Sequence, residues 1–469
     1  MVSVGFVYMN SGPQLSMGVA YISAMLKKHG HKVTLWDTYY TTDKDIINQI
    51  VNSDAEIIMV STNSLSFNHA VSITRGIKKE RPDIPIFAGG WHTIVDPDEM
   101  INEPSIDLVC IGEGEYAALD VVNDIRNGLK NVSKIPNIWC KKNGNIIKNR
   151  PRPLSNIDDL PFPDRDIFNP LSLMDRDGKF FFSTERGCPY NCSYCCNRKM
   201  IELYSEVGSS YVRFRSVEKC MEELKQIKKR WNPKEIFFID EMFLISEERV
   251  KDFCKAYIRE KIGIPFGFMA RVEKINDGIA KILKEAGCCR IHFGIECGNE
   301  EMRKKYLNRI MTNEQIINAF DVCKKFGIKT ASFNMIGLPF ETKETIRDTF
   351  EINKRCQPDS FQVTILYPFK GTKIYDTFKK NDMLDLTARM EETYYDSYIT
   401  KNPNLSFSYL KHQQVFMELY FNYSKFFAHL SKIVPLGMLN FYMRGVSFIY
   451  KRNKLKTLIS RMKKYLPKI

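Results

Sequence analysis

No cleavable secretory signal is expected in the 469-residue chain, because residues 1–10 read as a short strand (Val4, Phe6, Val7) without a basic start. It also lacks a stretch suited to crossing a bilayer, because the most apolar late run, 433–450, contains Asn440 and Arg444. With 13 Cys and no export signal, the expected compartment is a reducing cytoplasm, where clustered thiols serve metals or catalysis more often than disulfides. These absences exclude a secreted disulfide scaffold and an integral membrane protein. Acidic residues are missing from 444–469, where nine Lys/Arg face no Asp/Glu, so this tail carries nine of the +14 formal net charge. What is present is globular: 44% hydrophobic residues, 26% charged residues and 31 Phe give enough material for two or three buried cores.

Short β-rich runs alternate with helical stretches over the first 130 residues. Strands are expected at 2–8, 31–37, 56–61, 84–88 and 107–111, with helices such as 18–29 and 70–80 between them. Apolar strands alternating with helices predict a doubly wound α/β domain with a parallel sheet covered on both faces. Such sheets take ligands at the carboxyl ends of their strands. Those ends read Asn10-Ser11-Gly12, Ser61-Thr62-Asn63, Gly89-Gly90-Trp91-His92 and Gly112-Glu113-Gly114-Glu115.

Pro151, Pro153, Pro161, Pro163 and Pro170 mark 136–177 as a connecting segment between domains. A second alternation follows, with β-like runs at 179–184, 235–239, 266–271, 290–296, 330–337 and 361–368. Six β/α units over 178–380 fit a partial barrel of the TIM type, short of eight strands, with its reactive groups at the strand C-termini. Beyond 380 the β pattern stops, and 381–469 reads as a basic, aromatic helical region.

The most informative string is Gly187-Cys188-Pro189-Tyr190-Asn191-Cys192-Ser193-Tyr194-Cys195, directly after the first strand of the second alternation. Three thiolates at this spacing can bind three irons of a 4Fe–4S cluster and leave the fourth without a protein ligand. A structural zinc site usually closes with four ligands, and no second CxxC or His pair completes such a set. Cys196, adjacent to Cys195, is awkwardly placed for the same ion. The alternatives are zinc or inert buried thiols. The other cysteines of this half (Cys220, Cys254, Cys288, Cys289, Cys297, Cys323, Cys356) read as small buried hydrophobes.

On this CxxxCxxC loop, residues 178–380 resemble the radical S-adenosylmethionine (SAM) superfamily. The resemblance implies that Cys188, Cys192 and Cys195 hold the cluster and that its open iron takes SAM. Cleavage of SAM would then give methionine and a 5′-deoxyadenosyl radical. It further implies that Asp240 and Glu241, ending the second strand, hold the SAM amino group, and that Tyr194 and Gly337 frame the adenine. Glu296, in the Gly294-Ile295-Glu296 string, would accept from the ribose hydroxyls. Arg271 would pair with the methionyl carboxylate, or else form a structural ion pair.

The doubly wound first domain (1–135) ahead of this barrel resembles the cobalamin-binding-domain subgroup of the same superfamily. The resemblance implies a Rossmann-like fold with a corrinoid on Ser61, Thr62, Gly89, Gly90, Trp91, His92, Gly112, Glu113 and Gly114. No Asp-x-His-x-x-Gly string supplies an axial histidine, and an emptied domain that only shapes the substrate cavity is the alternative. Methylthiotransferases place a second cluster in their first domain; the two thiols available before 187, Cys110 and Cys140, disfavour that reading.

The expected function is hydrogen abstraction from an unactivated carbon followed by methyl transfer through methylcobalamin. The alternatives are radical cyclisation or rearrangement without methyl transfer, and a non-catalytic corrinoid- or lipid-binding protein. A small-molecule or lipid-like substrate and a ferredoxin- or flavodoxin-type reductant are expected, and nucleic acid is not. The basic, aromatic tail reads either as a cap on the barrel or as a peripheral contact with the inner membrane face.

Overall fold

A computed structural model describes residues 1–175, 177–385 and 398–451. The parts of the expected helical C-terminal region at 386–397 and 452–469 lie outside the described residues.

The first sheet contains β1 (Ser3–Tyr8), β2 (Lys32–Asp37), β3 (Ile57–Ser61), β4 (Ile86–Gly89), β5 (Leu108–Cys110), β6 (Ile138–Lys142) and β7 (Asn145–Lys148), in the order β2-β1-β3-β4-β5-β6-β7. The first five strands run parallel, with helices between them. Burial on both faces explains their near-continuous apolar sequence. In β1, Val4 and Phe6 pack with Val19, Met25 and Leu26, while Val7 joins Trp36, Ile58 and Ile73 in the cluster on the other side. The chain leaves β1 for β2 on one side and crosses to β3 on the other, opening a crevice at the strand ends.

One difference from the sequence expectation lies at the start of the connecting segment. β6 and β7 form an antiparallel hairpin that extends the first sheet, with Lys142 opposite Asn145. Asn143 (φ 51°) and Gly144 (φ 77°) make its two-residue loop, and paired positive φ angles match the twist of a tight hairpin.

The second sheet is a six-stranded parallel half-barrel. It contains β8 (Lys179–Phe182), β11 (Glu235–Phe238), β12 (Phe266–Ala270), β13 (Cys288–Glu296), β14 (Lys329–Ile336) and β15 (Ser360–Ile365), in the order β15-β14-β13-β12-β11-β8. Phe180, Phe182, Phe238, Phe266, Phe268 and Phe293 are fully buried beneath it. A two-stranded antiparallel ribbon of β9 (Glu185–Arg186) and β10 (Arg213–Phe214) flanks the mouth.

The free edge of β15 is met by the helix Phe407–Asn422 rather than by another strand. Side chains one helical turn apart satisfy its backbone. The Phe361 and Val363 N–H groups donate to Asn422 Oδ1 and Glu418 Oε1, both at 2.9 Å. Asn422 Nδ2 and Gln414 Nε2 donate to the Phe361 and Val363 carbonyls at 2.7 and 3.2 Å. Helices Lys425–Ser431 and Leu439–Lys451 pack behind it through Ala428, Leu439 and Val446. No helix among the described residues is long and apolar enough to cross a membrane.

Candidate functional site

The loop carrying the three cysteines is shaped by Asp240. This fully buried carboxylate, just past β11, accepts from Ser183 Oγ (3.1 Å), Thr184 N and Oγ1 (both 2.6 Å) and Glu185 N (3.2 Å), fixing the turn out of β8. Burial pushes its carboxyl above the usual range, and these four donors pull it back. Asp240 is thus engaged by the protein itself, whereas neighbouring Glu241 accepts from Gly187 N (3.3 Å) and lines a cavity described below. Gly187 (φ 96°) is required where it stands, since a Cβ there would lie 2.4 Å from the Tyr211 carbonyl oxygen.

Cys192 is buried; Cys188 and Cys195 are partly exposed. Backbone bonds hold the loop from two sides: Ser193 N donates to Leu307 O (3.1 Å) and Ile374 N to Ser193 O (3.0 Å). Burial pushes the Cys188 thiol up to about 12, and Cys192 and Cys195 add to that rise. A hydrogen bond with Cys196 brings the Cys195 thiol down to about 7. Two guanidiniums converge on Cys192 Sγ: Arg271 Nη1 at 3.8 Å and Arg309 Nη1 at 3.9 Å. Such a donor set suits anionic thiolates on iron. No trio of His, Cys, Asp or Glu among the described residues is gathered tightly enough for one metal ion.

At the end of β13, Glu296 takes the left-handed conformation (φ 68°) where the β13–β14 register shifts. Its Oε1 accepts from Tyr194 Oη (3.0 Å) and lies 4.0 Å from Arg309 Nη1. Burial raises this carboxyl above its ordinary range, opposed by Arg309 and by the Tyr194 hydrogen bond. Gly294 makes room: a Cβ on it would come 2.3 Å from Glu296 Oε1. Arg309 also donates to Tyr194 Oη (3.3 Å) and the Gly294 carbonyl (2.5 Å), and its buried Nε has no partner.

Sequence reasoning missed Arg309, an isolated loop arginine after helix Glu300–Leu307 that the left-handed Asn308 (φ 54°) turns toward the thiols. Arg271 forms the ion pair that was one of its two expected roles: Nε donates to Glu273 Oε1 (3.1 Å), and its guanidinium lies 4.0 Å from the Tyr190 ring centre. Gly337 (φ 85°) and Leu338 donate their N–H groups to Glu341 Oε2; burial drives that carboxyl up to about 8. Of the remaining cysteines of this half, all are buried except the partly exposed Cys196 and Cys289.

A cavity of about 540 Å³ lies between the two sheets. Its first-sheet wall includes Asn10, Ser11, Ser61, Thr62, Asn63, Gly89, Gly90, Trp91, Gly112, Glu113 and Gly114; its half-barrel wall includes Ser183, Glu185, Arg186, Met200, Tyr211 and Glu241. Gly90 (φ 101°) packs so closely that a Cβ would lie 2.3 Å from Thr62 O. A wall of glycines and small hydroxyls at the ends of parallel strands gives a flat ring ligand close access to the backbone, which fits a corrinoid. His92 does not line the cavity. Its ring stacks on Phe67 (4.4 Å), its Nδ1 lies 3.1 Å from Ser64 Oγ, and burial lowers its basicity to about 4.

Across this cavity Glu115 Oε1 meets Arg186 Nη2 at 2.6 Å, and Glu113 pairs with both Arg186 (3.2 Å) and Arg213. Glu113 N donates to Tyr204 Oη (2.6 Å).

Comparison with known proteins follows the same two halves. Residues 182–352 match the family model described as the Radical SAM superfamily, and residues 12–122 the model described as the B12 binding domain. The chain is 29% identical over 440 residues to an uncharacterized methyltransferase, PH0819, of Pyrococcus horikoshii, covering 92% of this chain and 88% of that one. It is 22% identical to the anaerobic magnesium-protoporphyrin IX monomethyl ester cyclase of Rubrivivax gelatinosus, covering 88% and 73%. Among solved structures, the fold resembles the radical SAM methyltransferase TsrM from Kitasatospora setae (TM-score 0.68, 15% identity, 81% of this chain and 76% of that one). It also resembles the cobalamin-dependent SAM radical enzyme OxsB (TM-score 0.69, 22% identity, 89% and 66%). At these identities the structural likeness is one of fold.

Proposed function

Because the chain belongs to the radical SAM superfamily, in the branch that joins a B12 binding domain to the half-barrel, we propose that it is a cobalamin-dependent radical SAM methyltransferase acting on an unactivated carbon. The observation that carries this reading is the shared cavity: the strand ends of the first sheet and the turn leading into Cys188 form its opposite walls. When bound, the cluster supplies the electron that cleaves SAM, and the corrinoid supplies the methyl group.

The chain's own residues divide the remaining work. Cys188, Cys192 and Cys195 hold iron. Arg271 and Arg309 neutralise the negative charge gathered at Cys192. Glu296, held by Tyr194, accepts from the ribose hydroxyls of SAM, and Arg309 offers its unpaired Nε side to an anionic carboxylate. Glu241 faces the cationic amino group, while Asp240 orients the loop from behind. Gly337 gives adenine access to the backbone. Ser61, Thr62, Gly89, Gly90, Trp91, Gly112, Glu113 and Gly114 would cradle the corrinoid at the strand ends that line the cavity.

Anaerobic reconstitution tests the reading. Combined iron–sulfur and corrinoid absorption, 5′-deoxyadenosine release under reduction, and label from methyl-labelled SAM in the product are expected. Release of 5′-deoxyadenosine with an unlabelled product would favour cyclisation or rearrangement, which the resemblance to the cyclase keeps in view. A small-molecule or lipid-like substrate and a ferredoxin- or flavodoxin-type reductant complete the proposal.

We also propose a peripheral contact between the C-terminal helices and an anionic membrane. Phe426, Ile433, Leu436, Met438 and Phe441 are exposed there, Ile433 and Phe441 by nearly 80%. From residue 419 onward the sequence holds eleven Lys/Arg and no acidic residue. Sedimentation with phosphatidylglycerol vesicles, weakened in the double variant Ile433→Ser/Phe441→Ser, is expected. Equal sedimentation of the two proteins would remove the membrane from the proposal.

A further inference from the structure

We propose that the carboxylate–guanidinium lattice of Glu113 and Glu115 with Arg186 and Arg213 is a spacer that fixes the cluster loop at a set separation from the strand-end cavity, with Arg186 as its positioning residue. The proposal rests on the cofactor reading above and goes beyond it: none of these four side chains reaches a cluster thiol.

The lattice sits where the two halves of the chemistry meet. Glu113 and Glu115 follow β5 and line the cavity. Arg186 ends β9, and the next two residues are Gly187 and Cys188. Arg213 lies directly opposite Arg186 across the β9–β10 ribbon. Two like charges facing each other on a two-residue ribbon are destabilising on their own. Glu113 resolves this by giving one carboxylate oxygen to each, Oε2 to Arg186 at 3.2 Å and Oε1 to Arg213. The ribbon therefore depends on a side chain from the other domain. Arg186 uses its second arm on Glu115 (2.6 Å), so one planar guanidinium spans two carboxylates at fixed angles.

The surroundings leave little play. The side chains of Glu115, Arg213, Glu113 and Arg186 are 4%, 13%, 16% and 17% exposed, and the Tyr21 ring lies 4.7 Å from the Arg186 guanidinium. Glu113 N is held by Tyr204 Oη, and Gly112 (φ 87°) lies so near that a Cβ would stand 2.3 Å from that same oxygen. Charges this sheltered are a poor source of stability, because desolvation offsets their attraction and apolar packing would serve better. What they provide is geometry. A radical formed on the cluster side and a methyl group carried on the other must meet the same carbon, and reactions of this kind lose about two orders of magnitude for an ångström of misplacement.

The test uses the full chain loaded with cluster and cob(II)alamin, so that both groups are paramagnetic after reduction. The reduced cluster shortens the spin relaxation of Co(II) in a manner that reports their separation. Arg186→Lys keeps the charge but loses the fork, and Glu115→Gln keeps the shape but loses the charge that meets Arg186. Both are expected to hold iron and corrinoid at the wild-type ratio and with unchanged far-ultraviolet circular dichroism, while the relaxation enhancement is lost or spread over several separations. Wild-type enhancement in both variants would overturn the spacer, as would a fall only in proportion to lost folded protein. If the wild-type chain gives no cluster signal or no Co(II) signal, it is the cofactor reading itself that fails.

Discussion

Gly294 stands directly against the carboxylate of Glu296: a Cβ on the glycine would lie 2.3 Å from Oε1. The hydrogen bond from Tyr194 and the nearby Arg309 guanidinium both depend on that carboxylate staying in place. Gly294→Ala is therefore expected to displace Glu296 and weaken SAM binding by roughly tenfold or more, in line with the cost of small misplacements. Equilibrium dialysis with labelled SAM on the reconstituted protein checks this, with the iron content required to match wild type.

Two thiols of the loop, Cys192 and Cys196, should behave differently. Cys192→Ala removes the buried sulfur approached by both guanidiniums and is expected to abolish the cluster absorption. Cys196→Ala is expected to retain it, because Cys196 is the neighbour that bonds the Cys195 thiol rather than a fourth ligand. Iron quantitation and visible spectroscopy after anaerobic reconstitution distinguish the two variants.

Much of this site is legible as local strings. The cysteine spacing, the Gly-x-Glu at 294–296 and the glycine-rich strand ends each occupy a few consecutive residues, and the chemistry of each follows from its members. Arg309 was not legible, because its partner Cys192 lies 117 residues away and nothing local marks the loop that brings them together. Asp240 shows the converse. The sequence offers two adjacent carboxylates, and only the folded turn reveals that one is saturated by Ser183, Thr184 and Glu185 while the other faces the cavity. The β6–β7 hairpin was marked by Asn143-Gly144, but its surrounding prolines and polar residues read as a crossing segment.

Glu341 gives the structure a pH dependence. Its carboxyl is raised to about 8 by burial, so between the ordinary carboxylate range and pH 8 the folded chain binds a proton that the unfolded chain has released. Stability from this group is thus greatest at low pH and falls as pH rises toward 8. Glu341→Gln, which retains an acceptor for the Gly337 and Leu338 N–H groups, is expected to flatten the dependence of Tm on pH between about 5 and 8 and to raise Tm at the alkaline end. Thermal scans across that range measure both effects.

A buried amide network under β14 should be costly to break. Ser332 Oγ donates to Asn353 Oδ1 (2.7 Å), while Asn353 Nδ2 donates to Asn334 Oδ1 and Thr349 O, both at 2.8 Å. Asn353→Ala leaves Ser332 and Asn334 short of partners in a site closed to water. A loss of about 2–3 kcal/mol is expected from urea unfolding at equal cofactor content.

The way β15 is finished has a consequence for expression and truncation. Gln414, Glu418 and Asn422 occupy backbone groups that would otherwise invite a strand from another molecule. A chain cut before residue 407 would keep every cysteine and every strand of the half-barrel, yet bare a sticky β-edge, and insolubility or end-to-end stacking is its natural fate. The terminal helices are thus a guard against polymerisation as well as a tail.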